Sequence, residues 1–123
     1  MDTDIRALTA VAKIYLDAAY EMDADRFASI FHHSASVTHV GEDGNVSVTP
    51  LETWLAQVRS RKAPKLQGLE RHDEILCVDV VRDVALLKLK LQIPPRYFTD
   101  MLSCLKVDGR WKIVQKVMSV ETR

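Results

Sequence analysis

Residues 84–93 constrain the fold more than any other stretch. Ala85, Leu87, Leu89, Leu91 and Ile93 alternate strictly with Leu86, Lys88, Lys90 and Gln92. A period of two marks a strand with one apolar face. The neighbouring stretches extend the pattern. Ile75, Leu76, Val78, Val80 and Val81 form an earlier apolar run, joined to it by a tight turn at Arg82-Asp83. Pro94-Pro95 halts pairing on the other side, because proline has no N–H to give a ladder. Tyr97 to Val107 makes a third run. Asp108-Gly109 is a two-residue hairpin signal, and Trp111 to Val120 returns as the last strand. The second half therefore reads as four consecutive antiparallel strands. With Val107 opposite Arg110, a regular last hairpin sets Met101 opposite Lys116, Ser103 opposite Val114 and Asp100 opposite Val117. Asp100 and Lys116 then fall on opposite faces, and a single bulge would bring them together.

The first half is built differently. Ile5, Leu8, Ala12, Tyr15, Leu16 and Ala19 recur at three-and-four spacing, and no Gly or Pro interrupts residues 4–22. Asp2, Thr3 and Asp4 supply N-cap oxygens. Asp23 is a second N-cap, followed by an apolar stripe at Phe27, Ile30 and Phe31 that ends near His32-His33-Ser34. Residues 35–49 switch to period two around the turn Gly41-Glu42-Asp43-Gly44-Asn45, which predicts a hairpin. Thr49-Pro50-Leu51-Glu52 then carries a capping box with proline preset at the first helical position. Leu51, Trp54, Leu55 and Val58 give that helix its apolar face. Arg59, Arg61 and Lys62 suit its C-terminal dipole, and Pro64 and Gly68 lie beyond its end.

Helix, helix, hairpin, helix and four strands make an α+β chain with helices on one face of a curved antiparallel sheet. The 123 residues fit one domain spanning 1–123, and 47% hydrophobic residues are enough for a core. Seventeen basic residues balance seventeen acidic ones. Nucleic acid and anionic membrane are thus disfavoured as partners, since both attract a basic excess. No apolar run reaches the ~18 residues of a membrane helix. Met1-Asp2-Thr3-Asp4 is unlike the start of a signal peptide, so a cytoplasmic location is expected. Phosphate loops, Gly-x-Gly-x-x-Gly and Gly-x-Ser-x-Gly are missing, and no cofactor is expected. Cys77 and Cys104 lack neighbours at ligand spacing and read as buried free thiols, so no metal is expected.

Three stretches carry a family resemblance. They are Tyr15 to Asp23 with Phe31-His32, Thr49 to Trp54, and Phe98 to Ser103 with Leu105 to Val117. Over residues 5–121 the chain resembles the nuclear transport factor 2-like superfamily, also described as SnoaL-like or cystatin-like. Within it, the likeness is to the group named putative lumazine-binding. The resemblance implies a cone-shaped sheet wrapped around the long N-terminal helix with two further helices. It also implies a mouth that takes a small hydrophobic or aromatic molecule and an outer sheet face that pairs with a second copy.

The same resemblance suggests site residues. In the isomerase branch a tyrosine near Tyr15 donates to a developing oxyanion, a strong electrostatic device. Core packing of Tyr15, with its hydroxyl hydrogen-bonded, is the alternative. Tyr20, one turn on, is read the same way. The branch's general base falls near His39, an imidazole suited to proton transfer or to a structural hydrogen bond. Its acid donor falls at Ser103, where this chain has a serine. Asp100 and Lys116 complete the proton-transfer candidates. A lysine facing Met101, Ser103, Val114 and Met118 needs a partner or a lowered pKa if buried. An ion pair at an interface is its other reading. Trp54, Tyr97, Phe98 and Met118 are candidate mouth residues, and Met101 and Ser103 join them as ligand contacts. His32 and His33 cap a helix end. The expected function is a homodimeric small-molecule pocket, with isomerase- or dehydratase-type proton transfer. A non-enzymatic dimerisation module is the alternative, with Leu89→Lys expected to break the dimer.

Overall fold

The computed structural model describes residues 2–123. Helix α1 runs Asp2–Glu21 and α2 runs Ala24–Ala28. Strands β1 (Ser36–Val40) and β2 (Val46–Pro50) follow, then α3 (Leu51–Ser60). The chain ends in β3 (Asp73–Val81), β4 (Val84–Ile93), β5 (Arg96–Val107) and β6 (Arg110–Thr122). The six strands form one curved, open, mixed sheet in the order β2-β1-β6-β5-β4-β3. All neighbours are antiparallel except β1 and β6, which run parallel at Val37–Lys116 and Thr38–Val117. Single-strand periodicity holds no information on that long-range pair.

Helix α1 lies against the sheet on the face its spacing predicts, except that Ile5, in its first turn, is exposed. Leu8, Ala12, Tyr15, Leu16, Ala18 and Ala19 are buried. The alanines let the sheet approach closely, and each buried leucine side chain contributes roughly 1.5–3 kcal/mol. Met22, with φ of 48°, ends α1, and Asp23 caps α2 by accepting from the Arg26 N–H at 3.1 Å. The inward residues of β4 are Ala85, Leu87 and Leu89, none more than 4% exposed. Tyr15, Phe27, Phe31 and Trp54 form an aromatic cluster, with Phe27 edge-on to Trp54 at 4.7 Å between centroids.

Three local readings are corrected. Thr49 does not cap α3. It is paired with Val37 in β2, Pro50 takes the N-cap position, and no side chain caps it. The Leu51 N–H instead donates to the Ala35 carbonyl at 3.1 Å, so the strand edge satisfies what the threonine was expected to satisfy. Pro94-Pro95 does not stop pairing either. β4 and β5 pair out to Ile93–Arg96, and the two prolines, joined by a cis peptide bond, form the hairpin turn. Cys77 is only partly buried, whereas Cys104 is buried and its thiol is pushed up to about 12 by desolvation.

The most consequential correction concerns β5 and β6. Their hairpin is regular from Val107–Arg110 to Cys104–Ile113 and then shifts by one residue, so that Ser103 faces Gln115. Val114 is the extra residue of a β-bulge. Beyond it the register sets Leu102 opposite Lys116 and Asp100 opposite Met118, not Val117. The inward residues of β6 switch from Trp111 and Ile113 to Lys116 and Met118. Gln115 fixes the bulge by bonding Ser36 Oγ and Thr38 Oγ1 of β1, each at 2.9 Å. One inserted residue thus turns Lys116 into the interior beside Asp100.

Candidate functional site

Between α1, α3 and the concave face of the sheet lies a cavity of about 610 Å³. Its walls carry Tyr15, Phe27, Val37, Trp54, Phe98 and Met118. That size suits a small organic ligand, since pockets for such molecules span roughly 300–1,000 Å³. Asp100 and Lys116, 2% and 5% exposed, are the two buried charged residues in the wall.

These two form a compact cluster with Tyr15. The Tyr15 hydroxyl donates to Asp100 Oδ2 at 2.5 Å, and Lys116 Nζ lies 3.8 Å from the same oxygen. Asp100 Oδ1 is buried without a hydrogen-bond partner among the described residues. Lys116 Nζ sits 4.4 Å from the centre of the Trp54 ring and 5.3 Å from that of Tyr15. Burial, then the charge of Asp100, pushes the Tyr15 hydroxyl well above the usual tyrosine range. Burial lowers Lys116 below its ordinary value. The positive charge of Arg61 adds to that effect, and Asp100 opposes it.

His39 projects from β1 onto the same cavity as Val37, two residues earlier, and its Nδ1 is buried with no partner among the described residues. The mouth carries Arg61, Lys62 and Arg96 against a single carboxylate, Glu42. Burial and the neighbouring charge of Arg96 lower the pKa of Arg61. Sequence reading missed Arg61 as a cavity residue. A cation at the end of α3 was already explained by the helix dipole, and nothing local shows that β5 brings Arg96 opposite it.

The other candidates divide. Trp54 and Met118 line the cavity, as does Phe98. Tyr20 does not: it points to the other side of α1, donates to the Leu69 carbonyl at 2.8 Å and stacks under Arg71. Tyr97 faces away from the cavity and packs under the Arg123 guanidinium at 4.3 Å. Met101 and Ser103 alternate with Asp100 and Leu102, and so lie on the outer face; Met101 is 42% exposed. Ser103 was favoured by counting through a regular hairpin, and the bulge invalidates that count. The buried acid beside Tyr15 is Asp100. His32 and His33 lie outside the cavity, where His32 Nδ1 meets Ser34 Oγ at 2.7 Å. Among the described residues no three His, Cys, Asp or Glu side chains are grouped to hold a metal ion.

The family model described as "Putative lumazine-binding" matches residues 3–119. The chain belongs to that family. Its fold is nuclear transport factor 2-like. A solved NTF2-like protein of unknown function from Shewanella baltica OS155 superposes with a TM-score of 0.89 at 21% identity, covering 98% of this chain and 96% of that one. A ketosteroid isomerase-like protein from Erwinia carotovora atroseptica gives 0.77 at 14% identity, with both chains fully covered. Among curated proteins, Aldolase FrzH of Cladobotryum sp is 24% identical over 113 residues, which are 90% of this chain and 86% of that protein. No helix among the described residues is long and apolar enough to cross a membrane.

Proposed function

We propose that this family member is a homodimeric single-domain protein whose cavity binds a small, largely apolar carbonyl compound and moves a proton on it. The observation that carries the reading is the Tyr15–Asp100–Lys116 cluster, buried in the wall of a cavity large enough for a ligand. A buried carboxylate oxygen without a partner costs about 1–3 kcal/mol or more. Folds keep such an atom where a ligand or a proton completes it. In this reading Asp100 Oδ1 accepts a proton from the carbon next to the carbonyl. Tyr15 holds the other oxygen and fixes the orientation of the carboxylate. Lys116 is the group left to engage the carbonyl itself. The name of the Cladobotryum relative, an aldolase, supports carbonyl chemistry of this type.

Proton transfer is testable without knowing the natural substrate. In deuterium oxide, 2-tetralone exchanges its α-protons slowly, and proton NMR reads the loss. The wild-type protein should accelerate that exchange, and Asp100→Asn should remove about 10²–10⁴-fold of the acceleration. Exchange at the buffer rate from a protein with 2-tetralone bound would remove the catalytic half of the reading and leave a binding protein.

The homodimer is supported by the convex face of the sheet. Met101 and Val117 are cross-strand partners there, 42% and 46% exposed, with Leu86 and Leu105 nearby at 37% each. Contiguous exposed apolar surface of this kind marks an interface. Sedimentation should give a dimer for the wild type and a monomer for Met101→Glu combined with Val117→Glu. A wild-type monomer would refute the pairing.

A further inference from the structure

We infer that Lys116 is an amine nucleophile that forms an imine with the carbonyl carbon of an aldehyde or ketone bound in the cavity. The inference rests on the pocket reading above and goes beyond acid–base chemistry to covalent catalysis.

Its basis is the geometry around Nζ. An ammonium group carries three donors and is stable in an interior when each finds an acceptor. Among the described residues Lys116 Nζ has no acceptor within hydrogen-bond distance. The nearest carboxylate oxygen is 3.8 Å away and already accepts from Tyr15. A charge-assisted pair that serves only the fold closes to about 2.7–2.9 Å. On its other side Nζ lies over the rings of Trp54 and Tyr15, in the wall of the cavity. Arg61 adds a further positive charge at the mouth of the same cavity. Burial and the like charge of Arg61 favour the neutral amine, the form that attacks carbonyls, and they outweigh the opposing pull of Asp100. A lysine shifts its pKa readily in such surroundings.

The neighbours suit the remaining steps. The Lys116 nitrogen lone pair forms a C–N bond to the carbonyl carbon. The oxygen takes a proton from the Tyr15 hydroxyl, and the nitrogen gives one up to Asp100, yielding a neutral carbinolamine. Asp100 returns its proton to Tyr15 across their hydrogen bond. The C–O bond then breaks, and the hydroxyl leaves as water with a proton from Tyr15, whose phenolate is held by the iminium charge. At this point carbonyl, amine and tyrosine have given iminium, phenolate and water; return of the iminium N–H proton to Tyr15 leaves the neutral imine, with no external oxidant or reductant. Loss of an α-proton to Asp100 Oδ1 converts the iminium to an enamine, and hydrolysis restores the lysine.

A 1,3-diketone tests this directly, because it condenses with an unprotonated buried amine to give a stable, coloured vinylogous amide. The probe is 1-phenylbutane-1,3-dione at pH 7. The expected result is one equivalent of adduct with a new near-ultraviolet band. Its mass should be that of the protein plus probe less one water, mapped to the peptide holding Lys116. Lys116→Met, which keeps an unbranched apolar chain in place, should abolish the band while circular dichroism stays native. Tryptophan fluorescence separates the two readings, since Trp54 lines the cavity and Trp111 does not. Quenching without adduct overturns the nucleophile and leaves the pocket standing. Neither quenching nor adduct overturns both. Adduct spread over the surface lysines also overturns it, since Lys116 would then be no more reactive than an exposed amine.

Discussion

Asp100→Ala is expected to destabilise the protein by about 3–5 kcal/mol, whereas Asp100→Leu combined with Lys116→Met should be neutral or stabilising by about 1–4 kcal/mol. The asymmetry follows from what each change leaves behind. Removing Asp100 alone takes away the acceptor of the Tyr15 hydroxyl and the one nearby carboxylate that supports a proton on Lys116, both in a buried site. The stranded hydroxyl alone costs about 1–3 kcal/mol. The lysine must then lose its proton or remain as an unpaired buried cation. The double variant removes both titratable groups and fills the site with apolar atoms. Urea denaturation of the two variants against wild type measures the difference. A single variant as stable as wild type would mean that Asp100 is solvated. The double variant should at the same time lose all proton exchange on 2-tetralone, which separates the cluster's chemical value from its structural cost.

Stability as a function of pH gives a second reading of the same variants. The folded state lowers Lys116 below its ordinary value of 10.5. Between the lowered value and 10.5 the unfolded chain therefore binds more protons than the folded one, and stability rises with pH across that window. Tyr15 acts in the opposite sense. Its folded value is raised above 10.0, so the unfolded chain loses its proton first and stability falls with pH above 10. Lys116→Met should flatten the rise below 10.5 and keep the fall above 10.

The strands, their order along the chain and the long helix were all legible, because burial of one face imprints a period on each element. Leu87 and Leu89 on β4, and Leu8 and Ala12 on α1, declare their direction by spacing alone. The site was legible as residue types and not as an arrangement. Tyr15, His39, Asp100 and Lys116 each line the cavity, yet regular pairing separates Asp100 from Lys116. The bulge at Val114 decides the matter, and its support comes from Gln115 bonding β1 some eighty residues away in sequence. A glutamine after a valine carries no local sign of that role. Met101 and Ser103 were misplaced for the same reason, one residue of register having exchanged the two faces of β5 and β6. The mouth arginines were hidden differently. Arg61 and Arg96 meet only because α3 and the β4–β5 hairpin converge on the cavity, a property of the curved sheet.

Leu89→Lys carries the largest expected effect on folding, and its outcome differs from that of a lysine on an interface. The alternation of β4 is equally consistent with a core face and with an exposed face meeting a second copy. The structure resolves this in favour of the core: Leu89 is 0% exposed and packs with the buried residues of α1, while Leu86 and Lys88 point outward. Truncating such a leucine to alanine already costs about 2–5 kcal/mol. An ammonium in its place adds a desolvation cost of several kcal/mol with no partner to offset it. Whole domains of this size are stable by only about 5–15 kcal/mol. Leu89→Lys should therefore be largely unfolded at 25 °C, seen as loss of the cooperative thermal transition in circular dichroism. Leu86→Lys, three positions away on the convex face, should keep a cooperative transition and weaken only the proposed dimer. A folded, monomeric Leu89→Lys protein would reverse the facing of β4. Because β4 pairs with β5 in a fixed register, that would move Asp100, directly opposite Leu89, out of the cavity as well. The stability of one core leucine thus tests the same strand orientation on which the proposed chemistry depends.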